Sequence, residues 1–205
     1  EIDLHYARVL AMRVTYAGEL GWELHVPADL ALTVYDALHE AGPAFGFRNV
    51  GLDAMGSLRL EKAYRDFGLD IDNMDTPFDV GLGFAVAMDK PGGFVGHDAL
   101  LRARAAQVGP PKRRLDQVLV EDPEPLLYSG EPVLRDGAWF GYNRAGAYGH
   151  TLGGAVGLAM VEDESGIPAE VIEEGRFEID IAGVRYPARA SLRPMYDPDR
   201  LRIKA

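Results

Sequence analysis

Two consecutive prolines, Pro110-Pro111, separate two textures of sequence, and that change of texture constrains the fold of this chain more than any other feature. Upstream, apolar residues recur at helical spacing. Leu30, Val34, Leu38 and Ala41 lie at i, i+4, i+8 and i+11, one face of a 3.6-residue period. Pro27 and Asp29 open that helix and Gly42-Pro43 stop it. A second helix is expected over 51–63 and a third over 99–107. Strands are expected over 6–16 and 21–26, joined at Gly18 and Gly21, with another over 81–88. Residues 64–80 are polar and irregular and read as a long loop.

Downstream of the prolines, short strand candidates follow at regular spacing: 114–120, 131–134, 139–145, 155–161, 176–181 and 184–193. Gly, Asp and Pro punctuate them, which predicts a small antiparallel barrel or sandwich. The expected fold class is therefore α+β over residues 1–109, followed by an all-β domain over 110–205. A chain of 205 residues can bury a sizeable core as one ordinary domain or two small ones.

Composition excludes several classes of function. There is no cysteine, so disulfides, thiolate catalysis and cysteine metal sites are ruled out. The formal charge of −11 repels a phosphate backbone, and nucleic-acid binding is not expected. The one dense basic cluster, Lys112-Arg113-Arg114, reads as a solvated turn before a strand; a short phosphate or polyglutamate contact is the alternative. No apolar run approaches the roughly 20 residues that a membrane span needs, so no membrane association is expected. The histidines (His5, His25, His39, His97, His150) are scattered and suggest no zinc site or triad. Asp66, Asp70, Asp72, Asp75 and Asp79 crowd one loop without calcium-loop spacing, and no metal is expected there. No phosphate loop or dinucleotide fingerprint is present.

The run Tyr16-Ala17-Gly18-Glu19-Leu20-Gly21-Trp22-Glu23-Leu24 carries the best candidate site. It reads as a strand, a glycine-marked bend and a second strand, with an aromatic ring and a carboxylate seven residues apart. A carboxylate accepts two parallel hydrogen bonds and an aromatic ring covers a flat face, a pairing that suits a flat heterocycle with adjacent N–H donors, such as a pterin. A hairpin with an exposed glutamate is the plainer alternative. Trp22 alternates with Glu23 and is expected to pack in the core.

That run, with Gly51-Leu52-Asp53-Ala54-Met55-Gly56-Ser57-Leu58-Arg59-Leu60-Glu61-Lys62, Asp70-Ile71-Asp72, Thr76-Pro77, Gly81-Leu82-Gly83-Phe84, Phe94-Val95-Gly96-His97-Asp98-Ala99-Leu100 and Met195-Tyr196-Asp197-Pro198, resembles the folate-binding T-protein of the glycine cleavage system. Within that superfamily, Glu61-Lys62-Ala63-Tyr64-Arg65 and Asp197-Pro198-Asp199-Arg200-Leu201-Arg202 look like the carboxy-terminal folate domain of sarcosine and dimethylglycine dehydrogenases or oxidases.

The resemblance implies a partial T-protein-like folate-binding domain followed by a carboxy-terminal antiparallel β-barrel. It also implies a fragment that lacks the family's opening subdomain, with FAD only in a missing upstream domain. The apolar faces so exposed on residues 1–105 are expected to make the isolated chain self-associate, as a homo-oligomer, or open locally. The implied cofactor is tetrahydrofolate. Glu23 and Tyr16 fall on the family's pterin-contacting residues, and Arg59 and Arg65, with Lys62, are candidates for the folate's acidic tail. Met55 is a departure, because T-proteins proper have an arginine there; a thioether makes no charge-assisted bond, which fits the dehydrogenase branch better.

The implied activity is capture of the methylene of an N-methyl amine as 5,10-methylenetetrahydrofolate, in the bacterial cytoplasm or the mitochondrial matrix. In the family, an aspartate in the opening subdomain handles the proton, and no residue of this chain matches its motif. The alternatives are a folate-dependent aminomethyltransferase or demethylase without a flavin domain, and a non-catalytic structural partner of the same fold.

Overall fold

Strict alternation along Ala7–Met12 builds the first sheet: Ala7 and Val9 are buried, whereas Arg8, Leu10 and Met12 face out. The computed structural model describes residues 1–204. It divides into two units, Glu1–Arg59 with the tail from Asp199, and Leu60–Pro198.

In the first unit, β1 (Ile2–Leu4), β2 (Ala7–Met12) and β3 (Glu23–His25) form an antiparallel sheet in that order. Ala7 and Val9 pack on Val34 of α1 (Ala31–Ala41), with Leu4, Leu24, Val26 and Leu30 around them. This is the apolar stripe expected of α1, although Leu38 at its far end stays 36% exposed. Gly42 and Pro43 end α1 in a tight turn, and Phe47 folds over Gly42 so closely that a Cβ there would lie 2.4 Å from the Phe47 Cβ. The tail returns to this unit: Arg202 donates to Glu19 Oε2 at 3.0 Å, and Arg13 donates to the Ile203 carbonyl at 3.3 Å. The unit boundary falls within α2 (Leu52–Glu61).

In the second unit, β4 (Arg113–Val120), β5 (Pro132–Arg135), β6 (Ala138–Gly149), β7 (Gly154–Glu162), β8 (Phe177–Ile181) and β9 (Val184–Ser191) close an antiparallel barrel in the order β4-β7-β6-β5-β8-β9. Its interior holds Val118, Val120, Val133, Phe140, Ala159, Val161, Phe177 and Ile179. The alternate residues Leu115, Leu119, Val156, Leu158 and Met160 form a second cluster with Leu60, Ala63, Val80 and Ile71. Strands β4 and β7 are therefore covered on both faces, which is why Ala155–Val161 is an unbroken apolar run rather than an alternating one. A bulge between Asn143 and Ala145 lets β6 run on to Gly149. The remaining helices of this unit are α3 (His97–Ala106) and the short α4 (Ala169–Glu173).

The structure corrects three local expectations. The strand expected over 6–16 ends at Met12, so Tyr16 lies outside it, in the bend before β3. Residues 81–88 form no strand. Gly81 takes a left-handed φ of 69°, a single helical turn occupies Gly83–Ala85, and Phe84 is 75% exposed. The run is apolar enough for a strand but has no neighbouring strand to pair with. Trp22 does not pack in the core; it is 60% exposed, because it precedes β3 and so escapes that strand's alternation.

Candidate functional site

Glu23 opens β3 directly across from Met12 on β2, and His25 stands across from Leu10. All four are exposed, on the face of the sheet turned away from the Val9–Val34 core. The Glu23 carboxylate is about half exposed, with His25 Nε2 at 3.9 Å from its Oε2. It therefore combines two free-facing acceptor oxygens with an apolar shelf, Met12 and Leu10, on the neighbouring strand. Tyr16 lies half-buried in the segment between β2 and β3. The turn of that segment is tied by Gly18 N donating to Thr15 Oγ1 at 3.1 Å, with Gly18 at a φ of 78°.

The arginines named from the sequence are placed differently. Arg59 of α2 is buried, at 5% exposure. In the second unit, Arg65 donates from Nη1 to the Ala63 carbonyl at 2.5 Å and from Nε to the Val80 carbonyl at 2.9 Å. It so ties together the two ends of the loop over 64–79. Burial lowers the Arg65 pKa against the opposing pull of Asp116 and Asp70. Lys62, also considered for a ligand's acidic tail, points inward: its Nζ lies 2.5 Å from Asp197 Oδ2 and 4.9 Å from the Tyr196 ring centroid. Two of the sequence blocks quoted above, 135 residues apart, thus meet in one ion pair.

The acidic loop is explained by its own backbone. Asp70 accepts from Asp66 N, Asp72 from Met74 N, and Asp79 from both Thr76 N and Thr76 Oγ1, at 2.7–2.9 Å. Asp75 is gripped by Arg144 at 2.5 Å and Arg113 at 3.1 Å. Burial acts to raise its pKa, but the bonds from Arg144 and the Asp72 amide and the charge of Arg113 hold it below the usual carboxylate range. Among the described residues, no group of three or more His, Asp or Glu side chains is placed to hold a metal ion. Lys112-Arg113-Arg114 is likewise absorbed in ion pairs with Glu164, Glu162 and Asp116.

Sequence reasoning missed two buried carboxylates. Glu61 Oε1 accepts from the amides of Thr151 and Leu152 at 2.7 and 2.8 Å. Asp116, inside β4, is pushed up to about 7 by burial, against the pull of Arg114 and Arg65. Neither carried a clear local signal, because α2 and the first half of β4 hold other charged and polar residues.

Residues 1–90 match the GCVT N-terminal domain, and residues 113–197 match the glycine cleavage T-protein C-terminal barrel domain. The chain is 43% identical over 194 residues to the 4-methylaminobutanoate oxidase (formaldehyde-forming) of Paenarthrobacter nicotinovorans, covering 95% of this chain and 22% of that protein. It is 35% identical over 198 residues to the mitochondrial sarcosine dehydrogenase of Homo sapiens, covering 96% of this chain and 21% of that one. The chain thus spans about a fifth of the length of these relatives, as the 22% and 21% coverage shows. The crystal structure of the glycine cleavage system aminomethyltransferase T from Bartonella henselae shares the fold, with a TM-score of 0.77 at 24% identity over 92% of this chain and 50% of that one. No helix among the described residues is long and apolar enough to cross a membrane.

Proposed function

This chain belongs to the glycine cleavage T-protein family, and from that premise we propose that it is the tetrahydrofolate-binding module of an N-demethylating amine dehydrogenase or oxidase. The observation that carries the reading is Glu23: an accessible carboxylate beside an apolar shelf, on the domain whose family uses folate. The donor set fits the ligand, since a pterin offers adjacent N–H groups to a carboxylate and a flat ring to Met12 and Tyr16. Bound tetrahydrofolate supplies the nucleophilic nitrogen that takes up the one-carbon unit. The residues of this chain bind and orient it. Glu23 holds the pterin edge, Met12 and Leu10 support the ring, and Tyr16 covers it. Arg59 is buried and Arg65 bonds the Ala63 and Val80 carbonyls, so this reading gives neither a direct contact with the folate tail.

Oxidation of the amine, and the FAD that performs it, belong in this reading to another part of the whole protein. The amine-derived one-carbon unit and folate are its small-molecule partners. Cytoplasm or mitochondrial matrix is the compartment, and a homo-oligomer is the expected assembly.

The test is a calorimetric titration of the full-length gene product with 5-formyltetrahydrofolate, alongside Glu23→Gln. Saturable binding weakened at least about tenfold by the substitution supports the reading, as loss of a charge-assisted bidentate contact requires. Binding unaffected by it, or none at all, removes it. A second reading has one observation in its favour: the 43%-identical relative is named formaldehyde-forming. In it the one-carbon unit leaves as free formaldehyde. Assaying 5,10-methylenetetrahydrofolate against formaldehyde, with tetrahydrofolate present, separates the two.

A further inference from the structure

On the outer face of the first sheet, β2 carries Arg8, Leu10 and Met12 in line. On the same face, β3 sets Glu23 across from Met12 and His25 across from Leu10. Alternate residues of a strand stand about 6.7 Å apart, so the Arg8 position lies roughly 13 Å along β2 from that of Met12. The face therefore has a fixed order: a carboxylate beside a thioether, an imidazole beside a leucine, and then a guanidinium. Arg8 Nε lies 2.8 Å from Glu1 Oε2, and the two side chains are 76% and 58% exposed. An ion pair that open to water contributes little, so another carboxylate replaces Glu1 at small cost. Asp3 of β1 stands across from Arg8 and is the further charge at this end of the face.

The acidic tail of a folate needs a cation, and the candidates offered by the sequence do not supply one. Met55 brings a thioether, Arg59 is buried, Arg65 bonds the Ala63 and Val80 carbonyls, and Lys62 meets Asp197. In the first unit, Arg13 donates to the Ile203 carbonyl and Arg202 to Glu19. Arg8 differs from all of these: it is accessible, and it shares one face of one sheet with Glu23.

Resting on the folate reading, we propose that Arg8 takes the tail carboxylate of tetrahydrofolate, with Leu10 and His25 forming the bed of the aryl ring. The ligand has the same order of chemistry as the face: a flat pterin with N–H donors, an aryl ring, and a carboxylate. Glu23 meets the first, Leu10 and His25 the second, and Arg8 the third. The guanidinium fork donates two parallel hydrogen bonds to the carboxylate, which displaces Glu1 from it. Arg8 is thus the residue by which this chain distinguishes a folate from a free pterin, whereas Glu23 recognises what the two share.

The test is calorimetric titration of the full-length gene product with tetrahydrofolate and with 6-methyltetrahydropterin, which has the reduced pterin and no aryl glutamate. The unmodified protein should bind tetrahydrofolate the more tightly. Arg8→Gln should weaken tetrahydrofolate by about tenfold and leave the methylpterin within about twofold, so that most of the tail's advantage is lost. The retained methylpterin affinity certifies that the variant is folded. Glu23→Gln should weaken both ligands by the same factor and keep their ratio. Arg8→Gln that leaves tetrahydrofolate binding unchanged, or weakens both ligands equally, overturns the proposal while the folate reading stands. Absence of binding to the unmodified protein, or binding of both ligands that Glu23→Gln does not weaken, removes the folate reading and this proposal with it.

Discussion

The ion pair of Lys62 and Asp197 permits a quantitative test of how the second unit is held together. Lys62 is 1% exposed, its ammonium lies 2.5 Å from Asp197 Oδ2, and the Asp197 side chain is 8% exposed. Replacing Asp197 takes away the carboxylate that meets this ammonium deep in the fold and leaves the Tyr196 ring 4.9 Å from it. Asn is the replacement of choice, because Asp197 has a φ of 47° and Asn tolerates the left-handed region, whereas Ala adds strain. Breaking a buried pair costs about 3–5 kcal/mol. Asn still offers an oxygen to the ammonium, so Asp197→Asn belongs near the lower end, about 3 kcal/mol. Lys62→Met should cost less, about 2 kcal/mol, because the Asp197 carboxylate is nearer to water than the ammonium. The double variant removes both charges, and its cost should fall short of the sum by at least about 1 kcal/mol.

The assay is urea unfolding followed by Trp139 fluorescence in a Trp22→Phe background, which leaves one tryptophan, in the second unit. With a slope of about 2 kcal/mol/M, Asp197→Asn lowers the midpoint by roughly 1.5 M. A loss under about 0.5 kcal/mol for either single variant refutes the reasoning, as does an additive double variant. The pair would then be no more than a surface contact in energy.

Other expectations follow from single contacts. Asp116 has its pKa raised from 3.8 to about 7 in the fold, so stability is greatest below the unfolded value and is lost as pH rises between the two. Asp116→Asn should abolish that slope, a difference of roughly 4 kcal/mol at most by pH 8, seen as a flat rather than falling Tm from pH 5 to 8. Asp75 has the opposite sign: its lowered pKa stabilises above the unfolded value of 3.8 and loses that contribution as pH falls below it. Asp75→Asn should therefore destabilise at pH 7 and narrow the gap to the unmodified chain at pH 3, read from urea midpoints. A Cβ on Gly146 would meet the Leu127 carbonyl carbon and oxygen at 2.4 Å, so Gly146→Ala should cost about 1–3 kcal/mol; a change within about 0.5 kcal/mol contradicts that packing.

Much of this architecture is local in origin. Helices α1 and α3 follow from apolar periodicity and from glycine and proline stops, and each strand of the barrel begins within a few residues of where turn residues and β-branched runs place it. The run over 81–88 is apolar enough for a strand yet pairs with none, since pairing is a property of the neighbour and not of the run. Trp22 shows the same limit: alternation predicts the opposite side from Glu23, but not whether anything covers that side.

The candidate site divides along the same line. The spacing of Tyr16 and Glu23 about a glycine turn is written in adjacent residues, and so is the likeness to a folate-binding family. The companionship of Met12 with Glu23 needed the register of β2 on β3. The inward turn of Lys62 and Arg65, the grip of Arg144 and Arg113 on Asp75 and the burial of Asp116 needed the whole second unit. By itself the sequence determined the class, the element order and the residues offered for chemistry, because periodicity and turn chemistry act over a few residues. Only the tertiary structure decided which charges face water and which are spent inside, because that depends on partners as far as 135 residues away, whose burial no local pattern encodes.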